Sequence, residues 1–180
     1  MKIQYRRDLG KLMDHMNIMG PCAEIGVAEG RYSKEICEWG APKVYLVDRW
    51  MSVPTQSGDA SSSQKWHDNN FAGCQANVAG YNVEFLRGDS VEMADRVPDG
   101  SLSLVYVDAD HSYEGVKRDI EAWFPKLMVG GIFAFHDYLS PAYGVKRAVE
   151  EFCADKYDIE LLMENGEIEN VGAYFIKHKA

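Results

Sequence analysis

The chain has 180 residues, 46% hydrophobic and 26% charged, a composition typical of a globular domain rather than of a disordered or fibrous chain. Its net charge is −9 and it contains no basic block, which argues against a nucleic-acid partner. Its four cysteines are isolated and lack metal-ligand spacing, so the sequence favours neither a zinc site nor a disulfide scaffold.

The amino-terminal segment is charged throughout, lacks the apolar core of a signal peptide and is followed by no apolar run of membrane-spanning length. We therefore expect a cytoplasmic protein without a membrane partner. Apolar residues recur at helical spacing from Tyr5 to Met19, and Gly20-Pro21 then close the segment. This pattern predicts an amino-terminal helix within residues 1–20.

Short apolar strands and amphipathic helices alternate along the rest of the chain. Residues 51–65 interrupt this order with polar turn formers and predict a long mobile loop. Gly130-Gly131 are expected to end one helix and to open the strand after it. The predicted strands are 22–27, 43–48, 83–90, 102–108, 132–138, 157–163 and 171–177, and the predicted helices between them are 31–39, 66–78, 91–96, 112–127 and 143–154.

This alternation predicts an α/β fold with a Rossmann-like, doubly wound parallel sheet. The pair Asn165-Gly166 separates the last two strands and predicts an antiparallel hairpin. No linker or repeat is visible, so we expect a single domain over residues 1–180. In such sheets ligands bind outside the carboxyl ends of the strands.

The turn after the first strand contains Gly26 and Gly30, which allow a sharp bend and a close approach of the backbone to a ligand. The second strand ends at Asp48, a carboxylate able to accept both hydroxyls of a ribose. Two acids in the first turn, Glu24 and Glu29, would repel a pyrophosphate but suit the α-ammonium group of an amino-acid ligand. Together, these glycines and acids favour S-adenosylmethionine over NAD as the cofactor.

The third strand ends in Asp89-Ser90, whose carboxylate and hydroxyl are suited to an adenine edge, although either residue could instead cap the next helix. Arg49, directly after Asp48, and Asp108, at the end of the fourth strand, are assigned to the same cofactor site.

The fourth and fifth predicted strands end in Asp108-Ala109-Asp110-His111 and in His136-Asp137. These strands are neighbours in a doubly wound sheet, so Asp108 and Asp137 should converge. Two converging carboxylates repel unless a cation bridges them, and this predicts a site for Mg²⁺ or another divalent cation. The alternative is that the acids cap helices and the histidines make local hydrogen bonds.

These motifs resemble those of the class I S-adenosylmethionine-dependent methyltransferases, and within them the macrocin-type sugar O-methyltransferases. The resemblance lies in AEIGVAEGRYS and, more specifically, in VDADHSYEGVKRDIEAWFPKLMVGGIFAFHDY. It implies a seven-stranded sheet, mostly parallel with an antiparallel last strand. It further implies that Gly26 and Gly30 line the methionine part of the cofactor, Asp48 the ribose, Asp89 and Ser90 the adenine, and that Asp108, His136 and Asp137 hold the metal.

We therefore expect methyl transfer from S-adenosylmethionine to a hydroxyl oxygen of a small-molecule acceptor, such as a sugar or a natural product. His111 or His136 would take the acceptor's proton, and Asp108 would hold a metal that lowers the hydroxyl's pKa. Trp50, Trp66 and Tyr138 are candidates for an acceptor pocket, with Trp66 equally suited to the core.

Three alternatives stay open. The first is an NAD-dependent oxidoreductase, and the second is a non-catalytic domain that binds a nucleotide or S-adenosylmethionine. The third is a hydroxylase, against which we count the lack of an evident site of two histidines and one carboxylate. A short chain with a large open site is also compatible with a homodimer.

Overall fold

A computed structural model of the protein describes residues 1–55, 58–164 and 167–178. Seven strands lie in the described residues: β1 (Cys22–Ile25), β2 (Val44–Asp48), β3 (Val83–Arg87), β4 (Leu102–Val107), β5 (Leu127–Phe135), β6 (Glu160–Glu164) and β7 (Glu167–Ile176). The helices there are α1 (Leu9–His15), α2 (Arg31–Glu38), α3 (Gln64–Asn77), α4 (Ser90–Ala94), α5 (Tyr113–Trp123) and α6 (Val145–Cys153).

The strands form one seven-stranded sheet in the order β3-β2-β1-β4-β5-β7-β6. The first five strands along the chain pair in parallel, and β7 runs antiparallel to both β5 and β6. The predicted fold, a mostly parallel sheet with an antiparallel last strand, is confirmed. The turn predicted at Asn165-Gly166 lies outside the described residues.

Helices cover both faces of the sheet and leave two apolar cores. Alternate residues of the central strands point to opposite faces, so that Val105 and Phe133 pack with Trp123 of α5, whereas Leu104 and Ile132 lie in the core covered by the first helices. All four cysteines are buried free thiols. In the described part of the chain, none of the helices has the length and apolar character needed to cross a bilayer.

The amino-terminal helix is shorter than predicted. A 3-10 turn over Arg6–Asp8 precedes α1, which ends near Met16, and Asn17 then adopts a left-handed conformation (φ 55°). Asn tolerates this conformation better than most residues, so the helix ends there although the apolar spacing continues. In the segment 51–65, Gly58–Ser61 form a 3-10 turn and Ser63 caps α3; its mobility stays a prediction, and residues 56–57 lie outside the described part.

The prediction that Gly130-Gly131 separate a helix from the strand after it is wrong. Helix α5 already ends at Trp123, a 3-10 turn containing Pro125 follows, and both glycines lie inside β5. The register of β5 against β4 shifts between Leu102 and Leu104, and Gly130 has a φ of +86°. The glycines therefore accommodate an irregularity within a long strand rather than separating two elements.

The first residues of the chain join the outer edge of the sheet to its centre. The carbonyl of Gln4 accepts a hydrogen bond from the Met163 N–H (2.7 Å), and Tyr5 forms a parallel bridge with the same residue of β6. The next side chain, Arg6, lies 4.2 Å from the ring centroid of Tyr32 and donates to the Tyr106 hydroxyl at 3.0 Å. One short segment thus spans from β6 to β4.

Candidate active site

The five parallel strands end at one edge of the sheet. Ile25 of β1 is paired with Val107 of β4, which in turn is paired with Phe135 of β5. The residues that follow these strands are therefore neighbours, and most of the polar residues singled out in the sequence lie along this edge.

Gly26 is required where the turn after β1 crosses the end of β4. It has a φ of +85°, and a Cβ there would lie 2.0 Å from the backbone oxygen of Asp108. Gly30, at a φ of +72°, directly precedes α2. The glycine turn is thus packed tightly against the loop that carries Asp108.

Glu24 lies beneath this turn and is only 3% exposed. The Ser33 hydroxyl donates to its carboxylate. Burial raises the pKa of Glu24 to about 8, and the Asp108 charge adds to the increase, whereas Ser33 opposes it. The second acid of the turn, Glu29, lies at the surface and pairs with the Arg31 guanidinium at 2.8 Å.

Asp48 binds the glycine turn to the end of β2. Its Oδ2 accepts the N–H groups of Val27 (2.9 Å) and Ala28 (3.0 Å), and its Oδ1 accepts the Trp50 N–H (2.8 Å). A carboxylate has about four acceptor positions. About one is left, which fits one ribose hydroxyl rather than two.

Among the residues that the structure describes, three of the five non-glycine residues with positive φ lie at this edge: Ala28 (50°), Trp50 (42°) and Asp137 (51°). Two of them are joined, because the Trp50 indole N–H donates to the Ala28 carbonyl at 2.9 Å. The Trp50 ring also packs against Phe71, with centroids 4.8 Å apart, and Trp50 is 1% exposed. The prediction that Trp50 lines an acceptor pocket is wrong.

An ion pair joins the residues that follow β3 to those that follow β2. Asp89 pairs with Arg49 and, at 3.4 Å, with Arg118, and it caps α4 by accepting the Val91 N–H at 3.1 Å. Burial alone would raise the pKa of Asp89, but these donors outweigh it and lower the pKa. The next residue, Ser90, donates its hydroxyl hydrogen to Asp119.

Four side chains after β4 and β5 form a compact cluster, with ligand atoms all within 4.8 Å of one another: Asp108, His111, His136 and Asp137. His111 Nε2 lies 3.1 Å from Asp108 Oδ1 and 3.4 Å from Asp137 Oδ2, and His136 Nδ1 lies 3.4 Å and 3.1 Å from the same two oxygens. Each imidazole therefore faces both carboxylates.

His111 enters this cluster although the sequence analysis did not place it among the metal-binding residues. The inference that the chain lacks two histidines and a carboxylate at one site is wrong, because the loop after β4 returns His111 to the strand end. The neighbouring acid, Asp110, is exposed and caps the Ser112 N–H (2.9 Å) instead.

Tyr143 is a site residue that the sequence analysis missed. Its ring stacks on that of His111, with centroids 4.6 Å apart and planes at 22°. Gly144 makes this contact possible: its N–H donates to the His111 carbonyl (2.9 Å), and a Cβ there would lie 2.2 Å from the Tyr113 nitrogen. No motif spacing in the sequence signalled the stack.

The other aromatic candidates differ from Tyr143. Tyr138 is 4% exposed and packs in the core, so its assignment to an acceptor pocket is wrong. Trp66 is 36% exposed and stacks edge-on against His67. Of the three aromatic residues proposed for the pocket, only Trp66 is accessible.

The sheet order, the glycine turn and the acids at successive strand ends define a class I methyltransferase fold. A family model described as a methyltransferase domain matches residues 23–138, more than half of the chain, and the chain belongs to this family.

Solved methyltransferases share the fold. The O-methyltransferase NovP is 22% identical, with a TM-score of 0.69 over 96% of this chain and 78% of NovP. The apo structure of CalS11, described as a TDP-rhamnose 3'-O-methyltransferase, is 20% identical, with a TM-score of 0.60 over 94% of this chain and 78% of CalS11. An O-methyltransferase from Bacillus cereus in complex with SAH is 14% identical, with a TM-score of 0.66 over 95% and 80% of the two chains.

A curated relative, the uncharacterized protein y4gI of Sinorhizobium fredii, is 42% identical over 52 residues. The match covers 29% of this chain and 6% of that protein, so the chain spans only a small part of this relative's length.

Proposed function

We propose that the protein transfers a methyl group from S-adenosylmethionine to a hydroxyl oxygen of a small-molecule acceptor, a sugar or a natural product. The observation that carries the proposal is the placement of acids at four strand ends along one edge of the sheet, two of which, Asp108 and Asp137, lie beside two histidines. Family membership favours methyl transfer over NAD-dependent oxidation.

The charge of the edge supports a cationic cofactor. Arg31, Arg49 and Arg118 are each paired with a carboxylate, and none of these pairs leaves a free cation for a pyrophosphate. A sulfonium compound with an α-ammonium group fits such an edge better than a dinucleotide does. We assign the amino-acid tail to the turn Gly26–Gly30, the ribose to Asp48, and the adenine to Asp89 and Ser90.

The four-residue cluster fits a divalent cation. We assign Asp108, His136 and Asp137 as ligands, whereas His111, whose Nε2 lies 3.1 Å from Asp108, is kept as the base and not as a ligand. When bound, the metal would lower the pKa of the acceptor hydroxyl. Two imidazoles beside two carboxylates favour Mn²⁺ or another first-row metal over Mg²⁺.

His111 is the better placed of the two histidines to take the acceptor's proton. Its side chain is 25% exposed, against 17% for His136. If Nε2 donates to Asp108, Nδ1 keeps the free lone pair that a base needs. Asp108 and the Tyr143 ring would hold this imidazole in place while the methyl group, cofactor sulfur and acceptor oxygen align.

The loop after β5 offers an accessible surface beside the cluster. Leu139 and Tyr143 are 37% and 46% exposed, and they line an open cavity whose other side carries charged residues of α6: Lys146, Arg147, Glu150 and Glu151. A surface with an exposed aromatic ring beside charged and polar groups suits the ring and hydroxyls of a sugar or a natural product. We place the acceptor there.

The same cluster supports a second candidate. Two histidines and a carboxylate are the ligand set of non-haem iron oxygenases, which would add an oxygen atom to the substrate instead of a methyl group.

Calorimetric titration of the purified chain with S-adenosylhomocysteine and with NAD tests the cofactor, and an acceptor screen read by mass tests the chemistry. We expect binding of the first ligand only, and products heavier by one methylene unit. Tight binding of NAD alone, or products heavier by one oxygen atom, would overturn the proposal. Cofactor binding without any product from sugar or phenol acceptors would favour a non-catalytic domain.

Within that screen, the variants Asp108→Asn and Asp137→Asn test whether turnover depends on a metal. We expect both variants to abolish turnover, as EDTA would. The control Asp110→Asn, two residues after Asp108, should keep the increase in turnover on addition of metal. Full turnover of both variants in EDTA would remove the metal from the reaction.

A further inference from the structure

Asp119 is a buried carboxyl that methyl transfer itself does not use. It lies on α5 and is only 3% exposed, yet it accepts the hydrogen of the Ser90 hydroxyl at the start of α4. Ser90 is partly exposed and directly follows the end of β3. It therefore stands between a buried acid and the open edge of the sheet.

This contact fixes the direction of the Ser90 hydroxyl. An ionised carboxylate can only accept hydrogen bonds, so the single hydrogen of the hydroxyl points at Asp119. The lone pairs of the Ser90 oxygen then remain for a partner on the open side. The adjacent acid, Asp89, is already engaged by Arg49 and by the Val91 N–H.

We propose that Asp119 is a positioning residue that makes Ser90 a hydrogen-bond acceptor, so that the site selects a purine with an amino group at position 6 over one with an oxygen there. The inference rests on the proposed binding of the cofactor's base at the end of β3. Adenine donates from its 6-amino group, whereas the 6-oxygen of hypoxanthine is an acceptor and would face an acceptor.

The charge of Asp119 links this selection to pH. Burial raises its pKa to about 6, with Asp89 and Asp110 adding to the rise and Ser90 and Arg118 opposing it. At about pH 7.5 the carboxylate is ionised, and at about pH 5 the protonated carboxyl can itself donate to Ser90. The hydroxyl hydrogen is then free to turn toward the ligand, so selection weakens in acid.

The test compares the dissociation constants of S-adenosylhomocysteine and S-inosylhomocysteine by calorimetry. For the unchanged protein at about pH 7.5 we expect the adenine compound to bind at least about tenfold more tightly. Asp119→Asn can donate its amide hydrogen to Ser90, and should reduce this ratio to about threefold or less. Ser90→Ala should reduce it similarly, and Asp95→Asn, an exposed acid next to α4, should leave it unchanged.

The ratio of two affinities is insensitive to a general loss of folded protein, which thermal unfolding of each variant checks separately. If the unchanged protein binds neither compound, the proposed function fails. If it binds the adenine compound but Asp119→Asn keeps the full ratio, or the ratio of the unchanged protein does not fall from pH 7.5 to about pH 5, only the role of Asp119 is refuted.

Discussion

Replacing Glu24 by Gln should stabilise the ligand-free protein, and more so at higher pH. Glu24 is 3% exposed, and burial raises its pKa from 4.5 to about 8. Between these values the folded chain keeps a proton that the unfolded chain releases, so the free energy of unfolding falls as pH rises. The glutamine is neutral at every pH and can still accept the Ser33 hydroxyl.

The pKa difference gives the magnitude. One pH unit corresponds to about 1.4 kcal/mol, so the acid costs about 3 kcal/mol at pH 7 relative to a neutral side chain of the same shape. The advantage of Glu24→Gln should grow by about 3 kcal/mol between pH 5 and pH 8.

Urea denaturation followed by tryptophan fluorescence at several pH values measures this difference. Glu38→Gln is the matched control, because the Glu38 side chain is 52% exposed and its carboxylate pairs with Lys34 only at 3.8 Å. We expect a difference near zero for the control at all pH values. A Glu24→Gln advantage that stays constant from pH 5 to pH 8 would show that Glu24 releases its proton equally in both states.

Other substitutions test the glycine turn, the metal and the stacked ring. Gly26→Ala should lower the free energy of unfolding by more than about 3 kcal/mol, whereas Gly40→Ala, with a similar φ and no atom near its Cβ position, should cost about 1–2 kcal/mol; equal losses would contradict the close contact. Mn²⁺ should raise the melting temperature more than Mg²⁺ does, and His136→Asp should shift the preference toward Mg²⁺; an unchanged order in the variant would reject the donor-set argument. Tyr143→Ala should lower turnover about tenfold without changing S-adenosylhomocysteine affinity, since the ring holds His111; a loss of cofactor affinity instead would place Tyr143 in the cofactor site.

The strand ends of the site could be predicted from the sequence because they follow from topology. Asp108 and Asp137 come after two apolar runs that had to be neighbouring parallel strands, and their convergence required no knowledge of side-chain packing. The seven-stranded, mostly parallel sheet with its antiparallel last strand followed from the family resemblance and the predicted hairpin, but the full strand order was not predicted.

Contacts made by loops and between helices could not be predicted in this way. His111 reaches Asp108 and Asp137 only because its loop folds back, and Tyr143 reaches His111 only because Gly144 lets two loops approach closely. The contact of Ser90 with Asp119 depends on how α4 packs against α5. None of these contacts follows from the spacing of residues along the chain.

The pairing of Gln4 and Tyr5 with Met163 has a consequence for the order of folding. The contact joins residues 159 positions apart, so a chain emerging from the ribosome cannot complete it until β6 has been synthesised. Docking of the first residues is then among the last steps, after the central strands have paired. Until that step, β6 lacks the hydrogen bond that Gln4 accepts from Met163, and the Tyr106 hydroxyl lacks the one that Arg6 donates.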